Sequence, residues 1–93
     1  MSGFLPELIA VIEDRKHHPK AGSYTNALLN DPIRAAQKVG EEATEVVVAA
    51  LAQSDERLVA EMADLVYHSL VLLAVNGLSW EDVEVELEKR HKA

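Results

Sequence analysis

Apolar residues recur along this chain at helical rather than strand spacing. Over residues 4–16, Leu5, Leu8, Ile9 and Ile12 share one face and predict a first helix. Residues 17–25 are polar and carry Pro19 and Gly22, so they predict a loop. After Leu28-Leu29 comes Asn30-Asp31-Pro32, where Asp31 can cap a helix and Pro32 suits its first turn. That second helix is expected to run to about residue 52. Ser54 and Asp55 begin a third, which reaches Val75 and stops at Asn76-Gly77, a good C-terminal cap. Ser79-Trp80-Glu81-Asp82 has the form of a capping box with Asp in the Glu position, and opens a fourth helix to about residue 90. Strand-like alternation is absent; Val46-Val47-Val48 has β propensity, but its helical flanks override so short a run. The expected fold is all-α, a bundle of four main helices with Trp80 packing the last one onto the core.

The third predicted helix is apolar almost all round over residues 65–75, broken only by Tyr67, His68 and Ser69. Such a helix must be covered on more than one side. Three other helices of a short chain could hardly cover it, so a homodimer or larger assembly is expected. Length agrees: 93 residues make one domain, expected over 1–93, whose core is marginal alone. No run approaches the roughly 18 continuous apolar residues of a membrane span. Pro6, Glu7 and Glu13-Asp14 interrupt the N-terminal apolar residues, against a signal peptide. No membrane partner and a cytoplasmic location are therefore expected. The lack of cysteine excludes disulfides and thiolate metal sites.

Sixteen acidic residues against nine basic ones give a formal charge of −7, which argues against a nucleic-acid partner. A phosphate-bearing small molecule would need a cation or a local basic cluster to offset that charge. On a 100° wheel, Glu41, Glu42 and Glu45 of the second predicted helix lie within an arc of about 100°. Lys38 falls inside the arc one turn earlier and Arg34 a turn before that, with Val39, Ala43, Val46, Val47 and Ala50 opposite. On the third, Glu61 and Asp64 are about 60° apart, with His68 between them. The short connection around Gln53 predicts antiparallel packing, which turns both acidic stripes toward one groove.

A single Glu on a helix is ordinarily just solvated. These five differ in two ways: Glu42/Glu45 and Glu61/Asp64 each share an i, i+3 spacing, and Glu61 and Asp64 adjoin the most apolar stretch of the chain. Two carboxylates about 6 Å apart repel by roughly 3 kcal/mol at an effective dielectric near 20, which a cation would relieve. Oxygen ligands suit Mg2+, with Mn2+ as the variant, rather than zinc, and phosphate oxygens then become the natural ligand. Lys38 is open between an ion pair with Glu41 or Glu42 and a phosphate contact, and Arg57 is expected to pair with Glu61. His68 is either a core histidine or a partner that orients Asp64. His17-His18 reads as loop.

The run Glu41-Glu42-Ala43-Thr44-Glu45, followed after fifteen residues by Glu61-Met62-Ala63-Asp64, resembles the EExxE…ExxD pattern of the all-α nucleoside-triphosphate pyrophosphohydrolases. Within that superfamily, three stretches are similar to the phosphoribosyl-ATP pyrophosphatase family. They are Gly22-Ser23-Tyr24-Thr25 with Leu28-Leu29, the run from Lys38-Val39-Gly40-Glu41-Glu42 to Glu45-Val46-Val47, and Ala63-Asp64-Leu65-Val66-Tyr67-His68. The likeness covers roughly residues 4–90. It implies Glu42, Glu45, Glu61 and Asp64 as metal ligands, with Glu41 as a further ligand or a water-orienting base beside Glu42 and Glu45. It also implies Ser23, Tyr24 and Thr25 as lining the substrate site.

The implied reaction cleaves the α–β phosphoanhydride of phosphoribosyl-ATP, giving phosphoribosyl-AMP and pyrophosphate, the second step of histidine biosynthesis. Asn26-Ala27 departs from the small-then-basic pair expected there, which makes Lys20 the candidate cation of the loop. Two alternatives remain open. One is a house-cleaning pyrophosphohydrolase, separable by what the Tyr24 loop accepts; the other is a non-catalytic acidic dimerisation module, separable by its lack of a metal response.

Overall fold

The computed structural model describes residues 3–92, and its elements are α1 (Leu5–His17), α2 (Tyr24–Leu29), α3 (Pro32–Ala52), α4 (Asp55–Val75) and α5 (Trp80–Lys92). The expected domain limits include residues 1, 2 and 93, which lie outside the described residues. α3, α4 and α5 begin where short polar side chains satisfy free backbone N–H groups, whereas α1 starts at Phe4 with no side-chain cap. The Asp31 carboxylate accepts the Arg34 N–H at 3.1 Å, and the Ser54 hydroxyl accepts that of Arg57 at 3.2 Å. Ser79 and Asp82 exchange reciprocal bonds of 2.8 and 3.2 Å, completing the Asp-type capping box. At the end of α4, Gly77 turns at φ +71°; its N–H reaches the Ala74 carbonyl at 3.1 Å, and that of Leu78 reaches the Leu73 carbonyl at 2.9 Å. This is a Schellman closure. Lys16 adds a cation there, its Nζ donating to the Ala74 carbonyl at 2.9 Å.

The predicted loop over residues 17–25 is too long. It ends at Ser23, whose hydroxyl accepts the Asn26 N–H at 3.1 Å and caps α2. Six residues are too few to display a helical period in sequence, and α2 is held by tertiary bonds instead. Asn26 is buried; it donates through Nδ2 to the Arg15 carbonyl at 2.7 Å and accepts the Lys20 N–H at 2.9 Å. The residue that stands where the family resemblance led one to expect a small side chain thus clamps the loop to α1 and α2.

α3 and α4 pack along one another as an antiparallel hairpin across the two-residue connection Gln53-Ser54. α1 and α2 close over the C-terminal half of α4. The core they enclose is Ile12, Leu28, Leu70, Val71 and Ala74, with Leu8, Ile9, Val66, Tyr67 and Trp80 around it. Trp80 therefore packs the start of α5 onto the core as expected, although α5 buries none of its own residues.

The apolar girdle of α4 is covered more fully by its own chain than its sequence suggested. Leu70, Val71 and Ala74 are buried, and Leu65, Val66, Leu72, Leu73 and Val75 are half-buried. The open apolar surface lies nearer the α3–α4 turn, where Leu51 is 84% and Val59 70% exposed, with Val47, Val48 and Met62 also exposed. By length and composition α4 would pass for a membrane span. Glu61 and Asp64 lie within it and α1, α2 and α3 all pack on it, with 28% of its most apolar stretch buried.

Two substitutions separate core burial from turn strain. Leu28→Ala removes a fully buried side chain and should cost about 2–5 kcal/mol in urea unfolding. Gly77→Ala forces a left-handed φ on a residue with open space around it, and should cost only about 1–2 kcal/mol. A loss at Leu28 below that at Gly77 would mean that α2 is not part of the core.

Candidate active site

The hairpin brings the two acidic stripes together. Glu42 of α3 and Glu61 and Asp64 of α4 each offer a carboxylate oxygen within 4.8 Å of the others. The i, i+3 spacing puts Glu61 and Asp64 on one side of α4, and the antiparallel register sets Glu42 opposite. Glu61 is buried, Glu42 half-buried and Asp64 exposed, so the cluster runs from the helix interface to solvent. Of the four ligands that the resemblance implied, Glu45 is not in the cluster. It is exposed, about 4.5 Å further along α3 and about 60° around it from Glu42. Glu41 is exposed beside the group.

Cations already stand at this cluster. The Arg57 guanidinium hydrogen-bonds Oε2 of Glu61, the expected pair, and offsets the cost of burying that carboxylate. Lys38 Nζ lies 3.4 Å from both Glu41 and Glu42, which bears out its ion-pair reading. Partial burial acts to lower the Lys38 pKa, but the Glu42 carboxylate, Tyr24 and Glu41 outweigh it and hold the ammonium above its usual range.

Next to the carboxylates, α2 docks on α4 through polar side chains. The Tyr24 hydroxyl lies 2.9 Å from Nε2 of His68, while Nδ1 of His68 lies 2.7 Å from the Asp64 backbone carbonyl. The Thr25 hydroxyl bonds that of Tyr67, and the Tyr24 and Tyr67 rings stack at 6.4 Å. The Arg34 guanidinium sits 5.7 Å from the Tyr24 ring centroid. His68 is therefore a buried histidine that contacts Asp64 through its backbone; the reading in which it orients the Asp64 carboxylate is not what the geometry contains. Ser23 is committed to its cap and Thr25 to Tyr67, which leaves Tyr24, 42% exposed, as the member of that trio most open to a ligand. Lys20 lies in the loop before α2, exposed, with its backbone held by Asn26.

A family model described as phosphoribosyl-ATP pyrophosphohydrolase matches residues 5–91. The chain belongs to the phosphoribosyl-ATP pyrophosphohydrolase family. Among its relatives, a phosphoribosyl-ATP pyrophosphatase from Caulobacter vibrioides is 50% identical over 90 residues, spanning 97% of this chain and 84% of that protein. Another from Sulfurisphaera tokodaii is 50% identical over 92 residues, 98% of each chain. A histidine biosynthesis bifunctional protein from Oceanobacillus iheyensis is 44% identical over 88 residues, 94% of this chain but 41% of that longer protein. The acidic motif and the Ser-Tyr-Thr segment thus resemble this family for a reason that extends over nearly the whole chain.

Two features of the candidate site escaped sequence reasoning. Arg34 was placed on the α3 stripe by its i, i+4 spacing from Lys38, but its seat over Tyr24 depends on where α2 docks. The Tyr24–His68 bond joins residues 44 apart, and no local spacing announces it. The carboxylate geometry makes its own demand on stability. In metal-free buffer of low ionic strength, Asp64→Asn should raise the melting temperature by a few degrees, because it removes one of three clustered negative charges. A lower melting temperature, followed by circular dichroism, would show that the cationic neighbours already outweigh the repulsion.

Proposed function

We propose that this chain hydrolyses the α–β phosphoanhydride of phosphoribosyl-ATP to phosphoribosyl-AMP and pyrophosphate, the second step of histidine biosynthesis. The observation that carries the reading is the gathering of Glu42, Glu61 and Asp64 oxygens within 4.8 Å, beside Lys38. The activity for which its relatives are named supports it. An all-oxygen, all-carboxylate donor set fits a hard divalent cation, and Mg2+, with Mn2+ as a substitute, is the ion proposed. Glu42, Glu61 and Asp64 would hold it, with Glu45 as the fourth ligand after a change of side-chain rotamer. When bound, such a cation supplies charge neutralisation on the polyphosphate and acidifies water.

The chain's own residues do the rest. Lys38 and Arg34 present cations to the phosphates on the face shared with Tyr24, and Lys20 extends that reach from the loop. Glu41, exposed at the edge of the cluster, accepts the proton of the attacking water. Tyr24, with Ser23 and Thr25 shaping the first turn of α2, contacts the additional phosphoribosyl group. A contact so far from the reacting bond holds substrate and transition state alike, and so lowers KM without changing kcat.

Residues 1–93 are proposed to act as one domain, in the cytoplasm, with no nucleic-acid or membrane partner, and as a homodimer. The dimer reading is supported by the apolar groove along α1 and α4 formed by Phe4, Leu8, Leu58, Val59, Met62 and Val66, and by the exposed Leu51 nearby.

Pyrophosphate release from phosphoribosyl-ATP should be at least a hundredfold faster than from ATP and should vanish on chelation of Mg2+. Glu42→Gln should abolish it while leaving helicity intact. Equal turnover of ATP would favour a house-cleaning pyrophosphohydrolase, and no turnover with or without Mg2+ a non-catalytic module. Light scattering at low micromolar concentration should give a dimer. Val59→Asp should yield a folded monomer, whereas Leu70→Asp, 4% exposed in its own core, should unfold the chain. A wild-type monomer would refute the assembly.

A further inference from the structure

We propose that His68 is a positioning residue for substrate recognition, acting through Tyr24. The inference rests on the reading above, in which Tyr24 meets the substrate. His68 is buried at 6% exposure, and both ring nitrogens are committed. A backbone carbonyl only accepts, so the 2.7 Å contact to the Asp64 carbonyl assigns the proton to Nδ1. In the neutral imidazole Nε2 then carries the lone pair and accepts the Tyr24 hydroxyl at 2.9 Å. One neutral tautomer satisfies both bonds at once.

The consequence is geometric. Tyr24 is the first residue of a six-residue helix, too short to hold an exposed ring in place by its own backbone bonds. His68 ties that ring to the turn of α4 that carries Asp64. The ring in turn lies against Arg34, so a single buried imidazole sets the separation between a cation-bearing aromatic surface and the carboxylate cluster. The Thr25–Tyr67 bond fixes the next residue of α2 on the same helix and prevents α2 from pivoting about Tyr24. Loss of the His68 bond leaves the ring held only by its stack on Tyr67 and loosens it together with Arg34, while leaving the carboxylates where they are. Binding of the part of the substrate that reaches α2 is weakened, and the chemical step is not.

Asparagine and glutamine at position 68 divide the two functions of the ring. Asparagine places an amide near Nδ1 and retains the Asp64 anchor, but stops short of Tyr24. Glutamine places a carbonyl oxygen near Nε2, where it can accept the Tyr24 hydroxyl. Steady-state kinetics with phosphoribosyl-ATP and Mg2+, on variants shown by circular dichroism to be folded, provide the test. Tyr24→Phe and His68→Asn should each raise KM by about five- to tenfold, the loss of one hydrogen bond, with kcat within about twofold. The double variant should be no worse than either single one, and His68→Gln should keep KM within about twofold of wild type. Additive effects, a fall in kcat at constant KM, or equal behaviour of the Asn and Gln variants would overturn the proposal. Should His68→Asn fail to fold, Tyr24→Phe cuts the same bond from its exposed end, and an unchanged KM there overturns it equally. A wild type that releases no pyrophosphate from phosphoribosyl-ATP would overturn the underlying reading, and this one with it.

Discussion

Antiparallel packing of α3 on α4 is the constraint from which the rest of the molecule follows. The two 21-residue helices are joined by only two residues, so their register is set by the connection and by the caps on either side of it. That register makes Glu42 face Glu61 and Asp64. A shift of one residue on either helix would rotate a carboxylate by about 100° and dissolve the cluster. The same pairing buries Glu61, and burial is tolerable because Arg57, one turn earlier on the same helix, supplies a hydrogen-bonded counter-charge. Structure and candidate chemistry therefore share one interface.

The small helix α2 answers a different need. The hairpin alone is an acidic surface, and under the proposed function an anionic substrate approaching it would meet Tyr24 of α2 as a boundary and Arg34 and Lys38 of α3 as the cations beside it. Its polar seat on α4, through Tyr24–His68 and Thr25–Tyr67, contrasts with the apolar seat of Leu28, which is fully buried in the same core. Apolar burial supplies most of the adhesion, and the hydrogen bonds supply direction. The Asn26 clamp to Arg15 and Lys20 completes the attachment from the other side.

Net charge bears on how such a site works. A chain of formal charge −7 does not attract a polyphosphate at long range. Under the proposed function, recognition is local and relies on the few cations that face the cluster, together with the proposed divalent ion. Lys38, held charged by Glu42, Tyr24 and Glu41, retains its positive charge across the physiological range for the same reason that it pairs with carboxylates when no substrate is present.

Most of the architecture was legible in the sequence because it is locally determined. Asp31, Ser54, Ser79 and Asp82 cap their helices by reaching backbone N–H groups three residues away, and Gly77 ends α4 because its left-handed φ suits a residue without Cβ. The i, i+3 carboxylate pairs and the short connection were sufficient to bring Glu42, Glu61 and Asp64 to one groove. Tertiary structure alone decided what depends on contacts distant in sequence: that Tyr24 begins a helix, that Asn26 clamps it, that His68 binds the Asp64 carbonyl rather than its carboxylate, and that Glu45 stands outside the cluster. It also moved the open apolar surface from the middle of α4 to the α3–α4 turn, because α1 and α2 both fold back over the same half of that helix. Periodicity reports which face of a helix is apolar; only packing determines which neighbour covers it.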